Sequence, residues 1–194
     1  MNPKRIAVKF FVAPDPAAAP DLHPFIGIFH RFIQRKALPG LLIDVADYAH
    51  VPEGPGVVLI GHDVDYGIDL AGGRAGLLTT RKRLDGTPLA EALRDALRRA
   101  LAAVSAVEAE AEAKLRFATS AFAFDVLDRL AAPNRKDAFD AAAQAVAPLL
   151  GELYGAGGFR VEHASAGDPR RSLGLRVSAP GAPPADVLAA RLVR

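Results

Sequence analysis

The sequence contains no cysteine and no tryptophan, and only one methionine in 194 residues. The absence of cysteine excludes disulfide bonds, thiolate nucleophiles, zinc fingers and iron–sulfur clusters. Long apolar runs are also missing, because nowhere do about 18 apolar residues follow one another, so no membrane-spanning helix is expected. Residues 1–12 lack the apolar core of a signal peptide. We therefore expect a protein of the cytoplasm.

An excess of one charge is absent as well. There are 24 Lys and Arg against 22 Asp and Glu, which gives a formal net charge of +2. Basic runs at 81–83, 98–99 and 170–171 are short, and no aromatic residues alternate with them. Such runs are typical of solvated faces, so we do not expect nucleic acid as a partner. The preference for arginine over lysine and the abundance of alanine indicate a bacterial protein from a GC-rich genome.

Hydrophobic residues make up 51% of the chain, enough to build the core of one domain. Strict alternation of apolar residues predicts strands, and apolar residues three or four apart predict amphipathic helices. Thr87 and Asn134 precede helical patterns and are predicted as their N-caps. The predicted strands are 5–12, 41–45, 57–61, 75–83, 115–128, 159–164 and 173–178, and the predicted helices begin near residues 24, 88 and 135.

The resulting order, β-α-β-β-β-α-β-α-β-β, predicts an α+β protein. Strands joined by short links pair antiparallel, and the helices need an apolar surface to cover. We expect an antiparallel or mixed sheet with the helices packed on one face. Residues 1–179 are predicted to form a single domain, and the Pro/Ala-rich segment 180–194 a tail that docks as a short helix.

Two segments resemble each other and suggest an internal duplication. The first strand ends in VAPD at 12–15, and the fifth ends in AAPN at 131–134. Residues 5–61 and 115–178 would then be halves of a duplicated β-α-β-β unit. The alternative is that proline and Asp or Asn stand at both junctions only because turns and helix starts favour them.

The densest group of polar residues runs from Asp44 to Arg83. His62, Asp63 and Asp65 place an imidazole beside carboxylates, a combination that suits a divalent metal or an oriented general base. Gly72 and Gly73 precede Arg74, so that backbone amides and a guanidinium could meet an anion. The opposing interpretation is that the whole 62–74 segment is a polar loop, since loop backbone must meet water.

No sequence motif indicates a particular reaction or cofactor. The HExxH, EF-hand, P-loop and GxSxG patterns are all absent. Our leading hypothesis is a non-enzymatic binding, adaptor or assembly protein that engages a protein or a small anionic ligand through segment 62–83. The predicted ligand-binding residues are His62, Asp63, Asp65, Tyr66, Arg74 and Arg81.

Two other hypotheses remain open at this stage. The first is a metal-assisted or acid–base enzyme whose candidate ligands are His50, His62, Asp63 and Asp65. It requires two histidines, or one histidine and two carboxylates, to converge on one point. The second is a homo-oligomer that uses an open sheet face or an alanine-rich helix as its interface. All of these hypotheses assume that three helices pack on a common sheet and that the 62–74 segment is not needed for folding.

Overall fold

The computed structural model describes residues 1–14 and 19–193. Over these residues the chain forms eight strands and four α-helices. The strands are β1 (Ile6–Val12), β2 (Leu42–Tyr48), β3 (Gly56–Gly61), β4 (Val64–Asp69), β5 (Gly76–Arg81), β6 (Phe117–Val126), β7 (Arg160–His163) and β8 (Leu173–Ser178). The helices are α1 (His23–Arg35), α2 (Leu89–Ala109), α3 (Lys136–Tyr154) and α4 (Ala185–Arg191).

The eight strands form one sheet in the order β2-β3-β4-β5-β1-β6-β8-β7. Every pair of neighbouring strands in that order is antiparallel. The predicted α+β class, with helices packed against an antiparallel sheet, is confirmed. Because β1 lies in the middle, both of its edges are paired, with β5 on one side and β6 on the other.

Alternation along β1 separates two faces of the sheet. Ile6, Val8 and Phe10 are at most 1% exposed and belong to the hydrophobic core, where the Phe10 ring lies near a phenylalanine of β6. Lys9 and Phe11 point to the opposite face, because successive strand side chains alternate. None of the described helices packs on that opposite face, which we call the groove face.

The helices cover the core face. Helix α2 packs on β1 and β5, α1 packs on β2 and β3, and α3 packs on β8. The predicted apolar stripe of α2 is buried along its whole length, which follows from a repeat that keeps one side of the helix apolar. Its members are Leu89, Leu93, Leu97, Leu101 and Val104.

The segment 62–74, predicted as a polar connection, contains a strand that the sequence analysis missed. Strand β4 occupies residues 64–69 and pairs with both β3 and β5. Tyr66 and Ile68 are buried in the core, and Asp69 is also buried. The segment is therefore part of the sheet and not surplus to folding. Three aspartates between residues 63 and 69 gave the segment the composition of a loop, and this outweighed its alternation of apolar residues.

The internal duplication is not confirmed. In the second proposed half, β6 pairs with β8, the second strand after the helix. In the first half, β1 pairs with β5, which lies beyond the proposed boundary at residue 61. A repeat with matching strand order would have to equate β4 and β5 with β7 and β8, and treat β2 and β3 as an insertion. Asp15, part of the first matching motif, lies outside the described residues.

The C-terminal segment joins the core through α4. Leu188 and Leu192 are each 1% exposed and belong to the same hydrophobic cluster as the sheet, and α4 packs on α2. The predicted N-caps of the two longer helices are wrong, because α2 is preceded by Pro88 and α3 by Arg135, and neither helix start receives a side-chain hydrogen bond.

Candidate functional site

The groove face holds a concave site of about 480 Å³ across the central strands. Strands β1, β5 and β6 supply its floor, and the turn after β4 and the β7–β8 segment supply its walls. Its floor is made largely of small or apolar side chains, which leaves room above the sheet. Among the described residues, six charged side chains line the site, and none of them belongs to a helix: Lys9, Asp69, Arg74, Asp125, Arg171 and Arg176.

A buried ion pair spans the middle of this groove. Nζ of Lys9 donates to Oδ2 of Asp69 at 2.5 Å and to the carbonyl oxygen of Ala71 at 3.0 Å. The two side chains are only 10% and 8% exposed. Lys9 reaches β4 by crossing over Gly76 of β5, where an added Cβ would lie 2.8 Å from the lysine Cε. The glycine therefore provides the path that the lysine side chain takes.

Two arginines are held over the ring of Phe11. The guanidinium carbon of Arg74 lies 4.1 Å from the ring centroid, and that of Arg176 lies 4.9 Å away. A guanidinium at this distance from a ring face gains roughly 0.5–1 kcal/mol at an exposed site. The aromatic ring thus restrains two guanidinium groups, whose paired N–H donors match the oxygens of a carboxylate or a phosphate.

Asp125 lies on the floor of the groove, one row along the sheet from Lys9. It is opposite Ala7 on β1 and opposite Gly174 on β8. Burial raises the pKa of Asp125 to about 6; Arg171 and Lys9 oppose this rise, and Asp69 adds to it. Strongly shifted pKa values of this kind are concentrated at functional sites.

Basic side chains outnumber acidic ones among the described residues that line the groove. Lys9 and Asp69 neutralise each other at contact distance. Arg171 and Arg176 then share the groove with one further carboxyl group, Asp125, whose pKa is raised to about 6. Low-dielectric walls strengthen the electric field of such groups inside a cleft.

The cluster predicted from His62, Asp63 and Asp65 does not form one site. Nδ1 of His62 donates to Oδ1 of Asp63 at 2.9 Å, and both side chains are about half exposed. This hydrogen bond holds the pKa of Asp63 below its usual range. Asp65 instead accepts a hydrogen bond at 2.7 Å from Nζ of Lys82, which directly follows β5.

Two further predicted ligand residues have structural roles. Tyr66 is 1% exposed on the core face, where burial raises the pKa of its hydroxyl and Arg99 opposes that rise. That hydroxyl makes no regular hydrogen bond within the described residues. Arg81 donates through Nε to Asp95 of α2 at 2.6 Å, so that it ties β5 to the helix. Of the six predicted ligand residues, only Arg74 lines the groove.

The convergence that a metal-assisted enzyme would need is not found in the described part of the chain. His50 lies in the turn after β2, and His62 follows the far end of β3, so about six strand residues, or roughly 20 Å, separate them. No group of three His, Asp or Glu side chains among residues 1–14 and 19–193 is close enough to hold a metal ion.

Five of these charged groove residues were not predicted from the sequence as members of a site: Lys9, Asp69, Asp125, Arg171 and Arg176. The sequence does contain a signal for two of them. Lys9 and Asp125 are charged residues in strands whose alternate positions are apolar. Alternation places such charges on the second face of the sheet. What the sequence does not contain is the strand order, which brings residues from four distant segments to one point.

A second polar network is buried beside α3 and stabilises the fold. The amide of Asn134 donates to the carbonyl oxygens of Ser165 and Asp168 at 2.7 and 2.8 Å. Its oxygen lies 2.7 Å from Nε2 of His163 and accepts from the Ser165 hydroxyl at 2.8 Å. This explains why Asn134 does not cap the helix: its side chain fixes the β7–β8 segment that carries Arg171.

Replacing Asn134 with alanine is expected to lower the free energy of unfolding by about 2 kcal/mol, because buried carbonyl groups lose their donors. Chemical denaturation would measure this. Gln144→Ala, which removes an exposed amide from α3, is the matched control and should change stability by less than about 0.5 kcal/mol. An equal effect of both substitutions would contradict the role given to Asn134.

The comparisons with known proteins name no function for the chain. No protein-family model matches the sequence, and no curated protein matches it significantly. Within the described residues, no helix has the length and apolar composition that a membrane span requires. The homo-oligomer hypothesis stays a prediction; the edge strand β2 and the residue before it expose Leu41, Ile43 and Tyr48.

Proposed function

We propose that this protein binds a small anionic ligand in the groove face of its sheet. The observation that carries the proposal is the placement of Arg171 and Arg176 at one concave site, which Arg74 also lines and whose lysine, Lys9, is already paired with Asp69. Segment 62–83 takes part through Asp69 and Arg74. As the composition predicts, we place this binding in the cytoplasm of a bacterial cell.

The size and shape of the site favour a small molecule as the ligand. A groove of about 480 Å³ falls within the range typical of small-molecule sites. Its donors are guanidinium groups, which bind carboxylates and phosphates through two parallel hydrogen bonds. Neither the fold nor the site requires a covalent step, so binding alone is the function that the geometry supports best.

The proposal predicts that one arginine carries a measurable share of the affinity. Arg176→Ala should weaken binding of sulfate, used as a probe anion, by at least about tenfold, because a hydrogen bond to a charged group contributes roughly 1.5–3 kcal/mol. Sulfate titrations at constant ionic strength, followed by the rise in unfolding temperature, would measure the affinity.

Arg98→Ala is the matched control for this experiment. Arg98 is exposed on α2, on the other side of the sheet, and its removal changes the net charge by the same amount. The control should bind sulfate as the unmodified protein does. Equal losses in both variants would show that sulfate senses only the overall charge, and the absence of any sulfate effect in the unmodified protein would remove the proposed function.

A further inference from the structure

Asp125 occupies a space that the neighbouring strand leaves open for it. On β8 the residue opposite is Gly174, and a Cβ added there would lie 2.7 Å from Oδ1 of Asp125. Opposite it on β1 is Ala7, which is also small. The carboxyl group is therefore set into the floor of the groove, and any small ligand held by the arginines lies directly above it.

The described part of the chain does not use the hydrogen-bonding capacity of the Asp125 carboxyl group. No group among the described residues donates a hydrogen bond to its carboxyl group, although Ser165 lies nearby across Gly174. Lys9, the closest lysine, is engaged by Asp69 and by a backbone carbonyl. The carboxyl group is thus free to interact with a ligand.

The charged groups that face Asp125 act in opposite directions. Arg171 from the β7–β8 segment and Lys9 from β1 favour its ionised form, whereas Asp69 from β4 disfavours it. Arg176 and Arg74 line the same groove, and no described helix packs on this face. An anion bound between the arginines would add negative charge beside Asp125, and it would therefore favour the protonated carboxyl group.

We propose that the groove binds a small ligand with two negative charges, a dicarboxylate or a phosphomonoester, and that Asp125 enters the complex protonated and donates a hydrogen bond to a ligand oxygen. This inference rests on the proposed function, since it concerns the same groove. Two negative charges fit the site because Arg171 and Arg176 remain after Lys9 and Asp69 neutralise each other, and a protonated carboxyl group adds a further hydrogen-bond donor to the ligand.

A proton-dependent affinity follows from this arrangement. Burial raises the pKa of Asp125 to about 6 in the free protein, so about half of the molecules carry the proton at pH 6 and about one in a hundred at pH 8. The apparent dissociation constant increases as the fraction of protein molecules with a protonated Asp125 decreases. The affinity for a dianion should therefore fall about 50-fold between pH 6 and pH 8.

The test compares the unmodified protein with Asp125→Asn. Asparagine has the size of the protonated carboxyl group and keeps a hydrogen-bond donor at every pH. The probes are sulfate, whose charge is constant over this range, and succinate, with butyrate as the matched monoanion. Affinities would be measured from pH 6 to pH 8 by chemical-shift titration at constant ionic strength, with Asp85→Asn, an exposed turn position, as the control variant.

We expect the affinity of the unmodified protein and of Asp85→Asn to fall steeply with pH. The affinity of Asp125→Asn should change less than about threefold and should exceed that of the unmodified protein at pH 8. Succinate should bind more tightly than butyrate, and a preference for sulfate over succinate, or the reverse, would distinguish a phosphate-like ligand from a dicarboxylate.

Three outcomes would overturn this inference and leave the proposed function intact. The first is sulfate binding with the same pH dependence in Asp125→Asn as in the unmodified protein. The second is a loss of affinity in Asp125→Asn at pH 6 although the variant is folded. The third is equal affinity for butyrate and succinate. If neither sulfate nor succinate binds at any pH, the proposed function itself fails.

Discussion

Replacing Lys9 with methionine should lower the free energy of unfolding by roughly 3–5 kcal/mol, the largest effect that we expect from any single substitution on the groove face. Methionine retains most of the length of the lysine side chain but leaves Asp69 buried without its partner. The carboxylate is 8% exposed, and water cannot readily replace the ammonium group. The carbonyl oxygen of Ala71 also loses its donor. Urea denaturation of the purified variant would measure the loss.

The double variant Lys9→Met, Asp69→Leu separates the ion pair from simple packing. Because both charges are removed together, most of the stability should return. The matched control is Lys136→Met, since Lys136 forms an exposed pair with Asp140 on α3, and its loss should cost less than about 0.5 kcal/mol. If Lys9→Met behaved like the control, the pair would not be the buried interaction described here.

Asp125→Asn should change the pH dependence of stability. In the folded protein the pKa of Asp125 is raised from its usual 3.8 to about 6, so the folded state holds this proton more tightly than the unfolded chain does. The free energy of unfolding therefore decreases as the pH rises through this window. The whole contribution is about 3 kcal/mol, and roughly half of it is lost between pH 5 and pH 8.

The asparagine variant lacks this titration, so its stability relative to the unmodified protein should improve by about 1.4 kcal/mol between pH 5 and pH 8. Any fixed cost of burying an amide is the same at both pH values and does not affect the comparison. The stability of the control Asp85→Asn should depend on pH in the same way as that of the unmodified protein. If the free energy of unfolding of Asp125→Asn also followed that of the unmodified protein between pH 5 and pH 8, burial would not raise the pKa of Asp125.

The helices and most strands follow from local patterns in the sequence. The leucine stripe of α2 predicts a helix because its 3.6-residue repeat needs no information from elsewhere in the chain. Strand β4 was missed for a local reason, since Asp65 and Asp69 resemble loop residues when their partners are unknown. In the structure, Asp69 is neutralised by Lys9, which is 60 residues away in the sequence.

The groove was beyond prediction because it depends on strand order. Lys9, Asp69, Asp125 and Arg176 lie in four different strands, and nothing in their spacing indicates that these strands are neighbours. Proximity in sequence was also misleading: His62, Asp63 and Asp65 are adjacent along the chain, yet Asp65 is turned toward Lys82 and away from them. Long-range pairing, and not residue type, decides which charges form a site.

Nuclear magnetic resonance titration of the isotope-labelled protein with sulfate tests the central claim most directly. If the groove is the anion site, the side-chain Nε–Hε signals of Arg74, Arg171 and Arg176 should shift with one common affinity, while those of Arg98 and Arg129 should stay in place. Shifts confined to arginines outside the groove, or weak shifts spread over all of them without saturation, would contradict it.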